Sequence, residues 1–256
     1  MDDKSSKDHL TRFVASLKDL EDALEIDMKR AITQGNLNMA FGARGKPGQS
    51  ASYSSSFRII NVTKTKGDGS VAHEFGHYFD HLCTENDAKR DKSHFITINP
   101  KGVFSDSIKK LFTVIKNNPD GTKTNFYQNA LSTGSKELVQ REELFARGFE
   151  AYVEDKLAEK GMMNTYLVSP NRITEGMHPI LAFQNEIKYP QGEERTRIVN
   201  AIDDFVNVFK NKFHLLKPLD KTAPRISSQF ENYITISDIV KEKKKKNPIS
   251  LFKDET

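Results

Sequence analysis

At 256 residues the chain can hold one substantial domain with extensions, or two small ones. Its 36% hydrophobic and 29% charged residues are gathered into periodic stretches, and no run approaches the ~18 uninterrupted apolar residues of a membrane helix. The net charge of +4 owes much to the run from Lys241 to Lys246, which reads as a solvated tail rather than a nucleic-acid surface, and Cys83 alone excludes an internal disulfide.

The chain begins with a polar segment, Met1 to Ser6, that lacks the apolar stretch of a secretion signal, so a cytoplasmic protein is expected. From His9 to Ile32, the residues Leu10, Phe13, Val14, Leu17, Leu20, Leu24, Met28 and Ile32 recur at helical spacing and predict one amphipathic helix. A glycine-rich run over 41–48 follows, then two β-like segments, Ser50–Ser54 and Phe57–Thr63. The turn over 66–70 offers Asp68 or Ser70 as a cap for a helix running from about Val71 to Cys83. Further helices are expected over Asp106–Asn118, Lys136–Lys160 (stopped at Gly161) and Glu193–His214, with residues 162–195 irregular. Beyond Lys217 the chain turns polar. This divides it into an N-terminal helix over 1–34 packed on the core, a catalytic domain over 35–216, and a polar, basic linker or tail over 217–256.

The helix starting at Val71 carries His73-Glu74-Phe75-Gly76-His77. Histidines four apart project from one face, about one turn apart, so both imidazoles can meet one tetrahedral ion. Zinc lowers the pKa of a bound water from about 15.7 to about 7, and Glu74 is placed to accept its proton and later deliver it to a leaving amine. Cys83, two turns on, reads as a buried filler. His81 reads as a helix-end histidine, because three ligands on one straight helix spread too far to close around an ion. Asp80 is either a carboxylate orienting a ligand imidazole or a solvated helix residue. A third ligand must come from elsewhere. Glu143 and Glu150 share one stripe of the helix over 136–160 with Arg147 and Glu154, and spacing alone leaves both open, as it leaves open an exposed ion-pair stripe.

Several segments in order are similar to the large polyvalent protein-associated domain 1 family: Phe41-Gly42-Ala43-Arg44-Gly45, Arg58 to Lys64, Gly69 to Asp80, Glu143 to Val153, Tyr166-Leu167-Val168 and Tyr189 to Arg195. The resemblance runs over about residues 36–210. It implies an α+β, zincin-like fold, with a small twisted, mostly antiparallel sheet packed on the metal-binding helix and additional helices around it. It also implies that Glu143 completes a His73, His77, Glu143 zinc site, and that the chain comes from a phage or mobile element. Glu143, Ala146 and Phe149 also resemble the third-ligand helix of zincins that cleave phage repressors. Gly148 departs from the pattern, which usually has alanine there, and residues 137–140 lack an expected aromatic.

The resulting expectation is a zinc metallopeptidase acting on a host or phage protein, with Glu74 catalytic and His73, His77 and Glu143 holding Zn2+. The alternative is a catalytically degenerate, zinc-binding interaction module. Ser50–Ser54 is the candidate sheet edge for an extended peptide, and Arg147, His178, Tyr127 and Tyr152 are candidate oxyanion donors. A protein or peptide partner is expected, and no membrane.

Overall fold

The structure is a computed structural model and describes residues 3–41, 50–63, 69–84 and 95–216. Most of the glycine-rich run, Asp68 and the lysine-rich tail lie outside the described residues. It is an α+β arrangement of eight described α-helices and one small sheet.

The N-terminal amphipathic stretch is two helices rather than one. α1 (Asp3–Leu24) ends where Glu25 adopts a left-handed φ of 55°. The chain restarts as α2 (Met28–Gln34), whose cap Asp27 accepts a hydrogen bond from the Arg30 amide at 2.9 Å. Between them, the Asp27 amide bonds the Leu215 carbonyl, which fastens the break to the end of the described region. Phe13, Leu20, Leu24 and Met28 are buried as the stripe predicts and Leu17 and Ile32 are partly buried against the core, whereas Leu10 and Val14 face solvent.

The sheet has three strands, β1 (Asn38–Phe41), β2 (Ala51–Ser54) and β3 (Ile59–Val62), in the order β1-β3-β2. β2 pairs antiparallel to β3, but β1 pairs parallel to it, so the sheet is mixed and the expected mostly antiparallel sheet is corrected. The physical reason is β1. It runs into the glycine-rich stretch, outside the two β-like segments expected from the sequence, and sets Met39 and Phe41 against the core. β2, the expected edge segment, does lie at a margin of the sheet.

α3 (Val71–Leu82) carries the His-Glu-x-x-His motif and buries Val71, Ala72, Phe75, Phe79 and Leu82 at 3- and 4-residue spacing. Ser70 stands at its N-cap but makes no side-chain cap bond. The start of the helix is instead held by chain pairing: the Gly69 amide bonds the Tyr166 carbonyl, Ala72 bonds Leu167, and the Ser169 amide returns to Gly69. After α4 (Ser105–Lys116) comes α5 (Asn125–Ser132), a helix absent from the sequence reading, whose first amides are capped by Thr124 and by both oxygens of Glu194. α6 (Arg141–Glu159) starts five residues later than expected, and Gly161 takes the predicted left-handed conformation after it. The segment expected to be irregular contains α7 (Pro179–Lys188), and α8 (Gly192–Lys212) closes the described region.

α3 packs most extensively on α6. A Cβ on Gly76 would come within 3.2 Å of the Ala146 Cα and 3.3 Å of the Phe149 ring, so glycine permits the close approach. On the other side of α6, a Cβ on Gly148 would lie 3.0 Å from the Ile202 Cδ1 of α8, so alanine there would require the Ile202 side chain to shift by a few tenths of an ångström. Buried Arg195 of α8 donates to Asp155, Glu154 and the Ala151 carbonyl of α6 and to Asn171, fixing the two helices together.

Candidate metal centre

The close approach of α3 and α6 brings His73, His77 and Glu143 together. The His73 and His77 Nε2 atoms are 3.1 Å apart, Glu143 Oε1 is 3.2 Å from His77 Nε2, and Glu143 Oε2 is 3.5 Å from His73 Nε2. Two donors bound at about 2.0–2.1 Å to one tetrahedral ion lie about 3.3 Å apart; the two nitrogens are separated by close to that distance, and each has one of the two Glu143 oxygens at a similar distance. The three residues form a group that could hold a metal ion. Two neutral imidazoles that turn bare Nε2 lone pairs on each other and on a carboxylate repel, unless a proton or a cation lies between them. The donor set therefore fits a cation.

The surroundings favour positive charge at this point. Burial alone would lower the His73 imidazole, but the Glu150 charge and hydrogen bonds to Glu143 and Glu150 raise it well above its ordinary value. Burial alone would raise the Glu143 carboxyl, but its bonds to His73 and His77 and their charge hold it far below the carboxylate range. Glu74, 5% exposed, is pushed up by burial against the pull of both histidines. A carboxyl raised toward neutrality is a stronger base for water's proton than an ordinary glutamate.

Glu150, the rival ligand, takes a different place. Its Oε2 lies 3.0 Å from His73 Nδ1, on the opposite edge of the ring from Nε2, and its Oε1 accepts from the Tyr189 hydroxyl at 3.3 Å. The Glu143, Arg147, Glu150 stripe is not an exposed ion-pair face. Arg147 and Glu150 are each 3% exposed.

Asp80 is corrected on both readings: it is fully buried, so not solvated, and its oxygens accept from the Thr97 amide at 2.9 Å and hydroxyl at 2.6 Å rather than from an imidazole. Burial raises its carboxyl to about 7. The bond anchors residues 95–99 and so places Phe95 against the His77 ring, with centroids 6.0 Å apart. The His77 Nδ1 itself is buried with no hydrogen-bond partner among the described residues. His81 turns to the sheet, its Nδ1 2.6 Å from the Tyr53 hydroxyl of β2, and takes no part in the metal group. Burial pushes the Cys83 thiol well up, as suits a filler.

The oxyanion candidates are engaged elsewhere. Arg147 donates to the backbone carbonyls of Leu138, Glu143 and Lys188, and Tyr152 donates to Asp203. His178 caps α7, and Tyr127 lies beneath the Lys116 and Lys123 ammonium groups. Sequence reasoning missed the placement of Tyr189 beside Glu150. The only signal for it was its membership of the Tyr189-Pro190-Gln191 motif.

Fold and site together define an α+β protein with a two-histidine, one-glutamate group able to hold a metal ion. Residues 138–213 match the family model Large polyvalent protein-associated domain 1, and this segment belongs to that family. The matched segment contains Glu143, Arg147, Glu150 and Tyr189; the helix bearing His73, Glu74 and His77 precedes it. No curated protein matches the chain. No solved structure matches it either.

Proposed function

We propose that the chain is a zincin-like, zinc-dependent peptidase that hydrolyses peptide bonds of a host or phage protein. The observation that carries this reading is the convergence of His73, His77 and Glu143 donors at 3.1–3.5 Å, with buried Glu74 on the same helix. His73 and His77 Nε2 and a Glu143 oxygen would hold the ion. Zinc, when bound, supplies Lewis acidity for polarising a carbonyl and easing loss of a proton from water. The Glu74 carboxylate accepts the proton of the attacking water and returns it to the departing amine nitrogen. β2, at the sheet margin and tied to α3 through Tyr53 and His81, supports the reading that an extended peptide pairs along that edge. No helix among the described residues is long and apolar enough to cross a membrane.

One observation favours the second reading, a zinc-holding interaction module without turnover: each candidate oxyanion donor is committed to another partner or a structural position. A comparison of peptide termini in cells expressing the intact chain and its Glu74→Gln variant separates the two. New termini present only with the intact chain support the peptidase. Identical termini from two zinc-loaded proteins contradict it and leave the module.

A further inference from the structure

Glu150 is a buried carboxylate with no role in the metal group, and burying an ionised carboxylate is costly unless each oxygen is satisfied. Here each oxygen has one partner: His73 Nδ1 at 3.0 Å and the Tyr189 hydroxyl at 3.3 Å. Tyr189 is itself fixed. Its amide bonds the Asn185 carbonyl at 2.9 Å, and the preceding carbonyl, that of Lys188, accepts from Arg147 Nη1 at 2.9 Å. Arg147 lies one turn before Glu150 on α6, so the helix that presents the carboxylate also holds the segment that restrains it.

We propose that Glu150, restrained by Tyr189, is the positioning residue that sets the tautomer and ring orientation of His73 for metal binding. This rests on the reading of His73, His77 and Glu143 as a metal centre, and is independent of whether the centre cleaves peptides. A carboxylate accepting from Nδ1–H leaves Nε2 bare, and Nε2 is the atom that faces His77 and Glu143. Glu150 cannot ligate the same ion, because the two ring nitrogens diverge and it occupies the Nδ1 side. His77 has no equivalent support: its Nδ1 lacks a hydrogen-bond partner among the described residues. The restraint is therefore concentrated on one of the two imidazoles.

The test uses the full chain with zinc as the probe. Zinc affinity is measured by competition with a chromophoric chelator for the wild type, Glu150→Gln, Tyr189→Phe and, as a ligand-loss reference, His77→Ala. The His73 imidazole nitrogens are followed by 15N NMR. Glu150→Gln is expected to weaken zinc binding about 10–100-fold, since that is the usual cost of losing a partner of a ligating histidine. Tyr189→Phe is expected to weaken it less, and in Glu150→Gln the His73 Nδ1 resonance should lose its fully protonated position while His77 keeps its own. Should Glu150→Gln fail to fold, Tyr189→Phe decides through the same two readouts. Unchanged affinity in both variants overturns the inference alone. Loss in Glu150→Gln as complete as in His77→Ala overturns it by making Glu150 a ligand. A wild-type chain without zinc affinity overturns the metal-centre reading as well.

Discussion

Glu74 and Glu150 are both buried carboxylates whose charge acts on the His73 imidazole, in different surroundings. Glu150 is held by two partners, His73 Nδ1 and the Tyr189 hydroxyl, whereas the Glu74 carboxyl is raised by burial, which suits the base role proposed for it. Glu74→Gln keeps the side-chain volume and should keep bound zinc while lowering turnover by about 10²–10⁴-fold or more, measured as zinc content and cleavage of a substrate found by terminus mapping. The pair His73 and His77 was legible in five residues of sequence, because a helix places i and i+4 on one face. Glu143 and Glu150 were not separable in that way. They are seven apart, about two turns, so both fall on one stripe, and only the level at which α6 crosses α3 decides which meets Nε2. Asp80 yields a separate prediction about stability. Its folded carboxyl sits at about 7 against an ordinary 3.8, so between those values the folded state binds more protons than the unfolded state. Stability contributed by this group is intact below the lower value and is lost as pH rises through the window. Asp80→Asn should therefore gain on the wild type as pH rises from about 4 to about 7, by a few kcal/mol at most, in urea unfolding at each pH. A wild-type and variant difference that stays flat with pH would remove this account of Asp80.

At the scale of elements, the centre depends on how closely two helices approach. Gly76 and Ala146 are small residues on the two helices, and the structure places them against each other. Gly76→Leu must push α3 from α6, which should cost about 1–3 kcal/mol of stability and also separate the His73 and His77 nitrogens from Glu143. Thermal unfolding and zinc affinity measured together check this: destabilisation with undiminished zinc affinity would show that the crossing does not set the ligand distances. Other elements were hidden for identifiable reasons. α1 and α2 share one apolar periodicity, and the break between them is made by the Glu25 backbone and by the Leu215 carbonyl, a partner 188 residues from Asp27 that no local window contains. α5 is capped by Glu194, again a remote partner. α7 carries Ile180, Leu181 and Phe183 toward solvent, so it lacks the one-sided burial by which amphipathic helices are recognised.

Over the whole molecule, the matched family segment and the metal motif occupy different stretches of chain that meet in one site. The core described here is closed by Leu215, which is fully buried and bonded to the Asp27 amide and bridges the N-terminal break to α8. A chain shortened by removal of residues 218–256 should thus melt at the same temperature and bind zinc equally well. If nucleic-acid affinity of the full chain disappears with those residues while zinc content stays, the basic tail has a role of its own; if zinc content falls, the tail belongs to the centre. The central claim is that His73, His77 and Glu143 together hold one divalent cation. The most direct measurement is the zinc stoichiometry of the purified wild-type chain and of His73→Ala, His77→Ala and Glu143→Ala after dialysis against a weak chelator. The account predicts about one equivalent in the wild type, little or none in the histidine variants and a marked deficit in Glu143→Ala. A wild-type chain without zinc, or a Glu143→Ala variant that retains a full equivalent, would contradict it.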